Sequence, residues 1–150
     1  KSKDDINVTG IPSQKLDGTG AVFLIDSGKT GSTAPMVSIF MEKMKSEGFR
    51  KMISTQFIKH TNLCVDSFLN GDVKNLFDNT KKLSKIVLDN FKPMIPDEFH
   101  DLWKKGIDSG SYFLKLCGSG GGGYILGFAP NIEQAKNDLK DYNLEVVYHF

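Results

Sequence analysis

Arginine and cysteine are scarce in this 150-residue chain, and long apolar runs are missing altogether. Arg50 is the only arginine and the formal net charge is +1, so bulk electrostatics draw no polyanion to it. A nucleic-acid-binding domain presents a basic stripe with arginines at base edges, and that reading is excluded first. Cys64 and Cys117 are the only cysteines. They form no CxxC and have no metal-ligand spacing, which argues against a disulfide scaffold and a cysteine-built zinc site. His, Asp and Glu show no metal spacing either, so no metal site is expected. Two thiols, many lysines and no signal-like leader predict a reducing cytoplasm. No run approaches the roughly 18 apolar residues that span a bilayer, so no membrane partner is expected. A full phosphate-binding P-loop is also absent. Gly28, Lys29 and Thr30 resemble its end, but the glycine required five positions earlier is Phe23.

What the chain does have is a glycine-rich stretch at 118–123, comprising Gly118, Ser119, Gly120, Gly121, Gly122 and Gly123. Such a loop takes dihedrals closed to other residues and leaves no side chain to hold a ligand away. It can turn several N–H groups toward one anion, as phosphate-binding nests do. The same composition suits a flexible linker or a plain hairpin loop. Its flanks favour the anion-cradling reading. Leu114 and Leu116 on one side and Tyr124, Ile125, Leu126 and Phe128 on the other read as two strands that clamp the loop.

Along the rest of the chain, residues 6–16 read as an extended strand or a loop, and 1–20 as an extended lead-in. Residues 21–25 are a continuous apolar strand, followed by a polar turn over 26–33. Ser32 or Thr33 then caps a helix with Pro35 in its first turn, and Gly48 is read as its end. The following segment places Phe49, Ile53, Phe57, His60 and Cys64 on one helical stripe, broken at Gly71 and Asp72. Another helix runs to Pro93, and a shorter one from Pro96 carries Phe99, Trp103 and Ile107. After the strand–loop–strand unit, Asn131 and Gln134 stand in the capping-box relation, and 144–149 closes the chain as a strand. About four strands and five helices in one domain predict an α+β fold, with helices on one face of a small antiparallel sheet.

Few residues nominate themselves for chemistry. His60 on an apolar stripe is more often a satisfied edge histidine than a base. His100, among Asp97, Glu98 and Asp101, reads as surface decoration. Cys117 beside the glycine loop reads as a buried strand residue, because no base accompanies it in sequence. Lys81, Lys82 and Lys85 read as a solvated helix face. The 26–33 turn either caps the next helix or offers Lys29 and its hydroxyls to a ligand.

Two segments carry a family likeness. Residues 115–123, Lys-Leu-Cys-Gly-Ser-Gly-Gly-Gly-Gly, are similar to the C-terminal glycine-rich motif of the GHMP small-molecule kinases. Residues 23–33, Phe-Leu-Ile-Asp-Ser-Gly-Lys-Thr-Gly-Ser-Thr, resemble the strand and turn that mevalonate kinases in this family carry before the first helix of their C-terminal domain. The likeness covers roughly 20–150 and is strongest toward the mevalonate kinases. Phosphomevalonate kinases and diphosphomevalonate decarboxylases stand as alternatives within the family, and a stand-alone ligand-binding or interaction module stands outside it.

The resemblance implies a ferredoxin-like C-terminal domain of an ATP- and Mg²⁺-dependent enzyme that phosphorylates a small alcohol. The 118–123 loop would lie near the transferred phosphates, and Lys29, Ser32 and Thr33 in an active-site-facing turn. Ser119 stands where mevalonate kinases often have alanine, and Cys117 where they often have threonine. The family's ATP-binding loop, Mg²⁺ ligand and catalytic Asp/Lys pair precede this segment. The chain opens Lys1-Ser2-Lys3 without methionine and is therefore expected to be a piece of a longer enzyme. Alone it should be inactive and hold no cofactor, its main partner being a preceding N-terminal kinase domain. Self-association as a homodimer is left open.

Overall fold

The computed structural model describes residues 9–150, so the expectations for residues 1–8 lie outside the described residues. The chain folds as an α+β domain around an open four-stranded antiparallel sheet. Strand β1 (Ala21–Asp26) leads into α1 (Thr33–Lys43) and α2 (Glu47–Met52). A π-helical turn (Ile53–Phe57) joins α2 to α3 (Ile58–Leu69), and α4 (Val73–Asn90) follows. Two 3-10 turns, Lys92–Met94 and Asp97–Phe99, precede α5 (His100–Ser109). The remaining elements are β2 (Phe113–Leu116), β3 (Tyr124–Ala129), α6 (Ile132–Asp138) and β4 (Leu144–His149).

The strand order is β2-β3-β1-β4, with every neighbouring pair antiparallel. Side chains alternate across a sheet, so Ala21, Phe23 and Ile25 share one face with Ile125 and Ala129. That face packs on Phe99 and Trp103 and forms the core. Phe23 lies opposite Gly127, where a Cβ would sit 2.1 Å from the Phe23 ring. Glycine is what lets that ring lie flat on the neighbouring strand. From α5, the buried Trp103 donates its indole N–H to the Ser84 carbonyl of α4 at 3.0 Å.

The structure corrects several expectations. The first helix ends at Lys43 and not at Gly48, which lies in the first turn of α2. Ser46 starts that second helix by accepting from the Phe49 N–H. Arg50 reaches back to the carbonyls of Met44 and Lys45 at 2.7 and 2.9 Å and satisfies the end of the first. The single stripe from Phe49 to Cys64 is split, because a π turn inserts an extra residue and rotates everything after it. Phe49, Ile53 and Phe57 pack on the core, whereas Cys64 turns toward the opposite side of the sheet. His60 rests its Nδ1 3.0 Å from the Asn79 side-chain oxygen.

Helices are not confined to one face. Helix α4 runs beside β2, and α3 carries Phe68 onto Tyr148 of the second face, ring centres 5.1 Å apart. Val22, Leu126 and Phe128 make the second face of the sheet apolar as well, and burying it takes a second helical layer from α3 and α4. The capping box before α6 is half formed. Asn131 accepts from Glu133 and Gln134, but the Gln134 side chain donates onward to Asp138 and not back. Residues 9–20 contain no strand. They are tied to β4 by the Tyr148 hydroxyl, which donates to the Pro12 carbonyl at 2.6 Å, and by Lys15 N–H to His149 carbonyl at 3.1 Å. Among the described residues no helix is long and apolar enough to cross a membrane.

Candidate functional site

The antiparallel register pairs Asp26 with Tyr124, so the turn after β1 and the glycine loop before β3 emerge at the same sheet end. Two segments about ninety positions apart in the sequence thus meet by strand pairing alone. The contact is backbone to backbone. Ser27 N–H donates to the Gly123 carbonyl at 3.0 Å, and Gly123 N–H donates to the Lys29 carbonyl at 2.7 Å. Gly122 lies so close to the turn that a Cβ on it would stand 2.8 Å from Gly31 N and 3.0 Å from Lys29 O. On its other side the loop is held by Gly121 N–H, which donates to the Met94 carbonyl at 2.7 Å.

This docking narrows what the loop can do for an anion. The amides of Gly120, Gly121 and Gly123 already donate to the carbonyls of Cys117, Met94 and Lys29. Among the described residues, the amides of Gly118, Ser119 and Gly122 have no such partner and are the loop donors left for a ligand. Cys117 is the first loop residue and half-buried, one position beyond the end of β2, and not the buried strand residue expected.

Gly118 and Ser119 open onto a cleft of about 370 Å³ walled by Met36 and Phe40 of α1, Phe57, Phe91 and Met94. Its walls are mostly apolar, with Lys115 beside the loop end. Pockets of this size, apolar with a few polar groups at one end, are the usual form of small-molecule sites. The cleft accepts the hydrocarbon body of a small molecule and presents amide N–H, hydroxyl and ammonium groups to its polar end.

The turn residues stand apart from this cleft. Ser32 is the N-cap of α1 with no capping hydrogen bond from its side chain, and the exposed Thr33 opens the helix. Neither they nor Lys29 lines the cleft. The Lys29 ammonium instead lies 2.8 Å from the Glu98 carboxylate, both groups open to water. That hydrogen bond holds the Glu98 carboxyl below its ordinary range. A carboxyl depressed by folding stabilises the native state above its unfolded pKa and loses that contribution as pH falls through the folded one. NMR titration should therefore find the Glu98 carboxyl depressed in the native chain and raised toward the ordinary Glu value in Lys29→Met. An unchanged titration would show that the pair does not persist in solution.

Sequence reasoning missed Met36, Met94 and Lys115 as site residues. A lysine between Leu114 and Leu116 in an apolar strand was the one signal available. Among the described residues no three His, Cys, Asp or Glu side chains gather as a metal-ligand set. No family model matches the chain, and no curated protein matches it either.

Proposed function

We propose that this chain is the C-terminal domain of a GHMP-type kinase, most similar to the mevalonate kinases, and forms one wall of a phosphoryl-transfer cleft. The observation that carries this reading is the docking of the glycine loop onto the 26–33 turn. These are the two segments that carry the family likeness. The strand order β2-β3-β1-β4, with helical crossovers from β1 to β2 and from β3 to β4, supports a ferredoxin-like domain.

In this reading ATP supplies the phosphoryl group, with Mg²⁺ neutralising charge. The free amides of Gly118 and Ser119, at the end of the cleft, are the donors offered to a phosphate oxygen. No acidic set among the described residues fits Mg²⁺, so in this reading its ligands come from another domain of the enzyme. The apolar cleft beside Ser119 excludes water from a small alcohol and orients it. The chain alone transfers no phosphate.

The test is turnover in the two-domain enzyme, read as ADP released with mevalonate or another small alcohol. Gly121 has φ +80 and an added Cβ would stand 2.8 Å from Met36 Sδ, so Gly121→Val strains the loop locally and presses it against α1. Turnover should fall at least about tenfold, because distortion at 121 displaces the neighbouring free amides of Gly118 and Ser119, while the circular dichroism spectrum is kept. Unchanged turnover of every candidate alcohol overturns the role of the loop.

A second reading is favoured by the loop amides that already donate to the chain's own carbonyls. A stand-alone module would use the loop as a staple between strand ends. Calorimetry separates the two: tight metabolite or nucleotide binding by the isolated chain favours the module.

A further inference from the structure

A second cleft lies on the opposite side of the sheet and shares only Lys115 with the first. It measures about 410 Å³ and is bounded by Cys64 and Phe68 of α3, Leu83 of α4, and Val22, Leu126 and Phe128 of the sheet. Its walls are mainly apolar, with Thr61, Thr80 and Lys115 also among the lining residues. At its mouth Val65 is 51 % exposed and Ile11 64 % exposed, so the apolar surface continues outward. An apolar pocket of this volume is in the size range of small-molecule sites.

One charge belongs to it. Lys115 borders the cleft, and its register partner Leu126 lies in the wall. Its ammonium donates only a 3.3 Å contact to the adjacent Leu116 carbonyl. Among the described residues no carboxylate lies within 4.0 Å of it. Burial pushes the Cys64 thiol up to about 11, against the opposing pull of the Lys115 charge. That describes a dry wall with a cation at its edge.

We infer that this cleft binds a medium-chain aliphatic carboxylate, with its tail against Leu126 and Phe128 and its head on the Lys115 ammonium. Charge complementarity selects this occupant. The apolar walls reward chain length, and the lone cation rewards a single negative head. A partly shielded charge-assisted pair is stronger than one in open water.

Calorimetry with hexanoate, octanoate and 1-octanol on the whole chain tests the assignment. Each added methylene should tighten binding about fourfold, hence hexanoate to octanoate by about sixteenfold. Lys115→Met should weaken octanoate about tenfold and leave 1-octanol unchanged. Val65→Trp, at an exposed position that leaves the core intact, should block both ligands. The inference is overturned if affinity is independent of chain length, or if Lys115→Met weakens the alcohol equally. It also falls if the chain is a dimer that Val65→Trp dissociates while octanoate never binds, because the cleft is then an interface between two copies.

Discussion

Gly122→Ala should lower the stability of the domain by about 2–4 kcal/mol, read as a shift in the midpoint of urea unfolding. The added Cβ would stand 2.8 Å from Gly31 N, 3.0 Å from Gly31 Cα and 3.0 Å from Lys29 O. All three are backbone atoms of the turn, so no side chain can swing aside to relieve the contact. The turn must move away from the loop. Two hydrogen bonds then break, Ser27 N–H to Gly123 carbonyl and Gly123 N–H to Lys29 carbonyl, each worth about 1 kcal/mol.

Gly123→Ala is the control that separates close approach from backbone conformation. Gly123 has φ +71 but open space where its Cβ would lie, so it should cost only the left-handed penalty of about 1–2 kcal/mol. Equal losses at the two positions would show that the loop does not sit on the turn. On the proposed kinase reading, Gly122→Ala should also reduce turnover, because the segments proposed to form the cleft wall separate.

Trp103→Ala should cost about 4–5 kcal/mol, toward the upper end for large-to-small core changes. Trp103 is 0 % exposed, so the deletion removes a fully buried indole and leaves a cavity between α5, α4 and the sheet. It also removes the indole N–H that donates to the Ser84 carbonyl at 3.0 Å, although that carbonyl keeps its place in the α4 hydrogen-bond ladder. For a domain of this size the melting temperature should fall by about 10–20 °C. Trp103→Phe keeps most of the packing and loses the hydrogen bond, so it should fall between wild type and alanine. A small loss in Trp103→Ala would mean that α5 does not pin α4 to the core as described.

Elements marked by local signals are legible in the sequence. The strand Ala21–Asp26 is a short apolar run between glycine-containing turns, and Asn131 caps α6 by accepting from Glu133 and Gln134. The break before α4 shows in Gly71 and Asp72, where Asp72 accepts from the Asn75 N–H. Gly48 misleads because a helix C-terminus and the first turn of the next helix use the same small residue. The carbonyls that end α1 are satisfied by Arg50, six residues beyond Met44, and helical periodicity does not record that contact. The π turn is equally silent, since its residues also suit an ordinary helix and only packing decides the wider turn.

The candidate site divides in the same way. The glycines of the loop and the hydroxyls of the turn announce themselves by composition. Which loop amides remain free does not, because Met94 and Lys29 supply the competing carbonyls from distant positions. Lys29 reads as a ligand group in sequence and is held by Glu98 at 2.8 Å, across 69 positions of the chain.

By itself the sequence determined the local elements, the α+β class and the two segments most suited to a ligand. Each of these follows from dihedral preference, capping or side-chain alternation within a few residues. Only the tertiary structure decided that the turn and loop touch, that half the loop's donors are occupied, and that Lys115 stands between two clefts. Those facts depend on strand register and close backbone approach, which arise between residues distant along the chain and leave no local periodic trace.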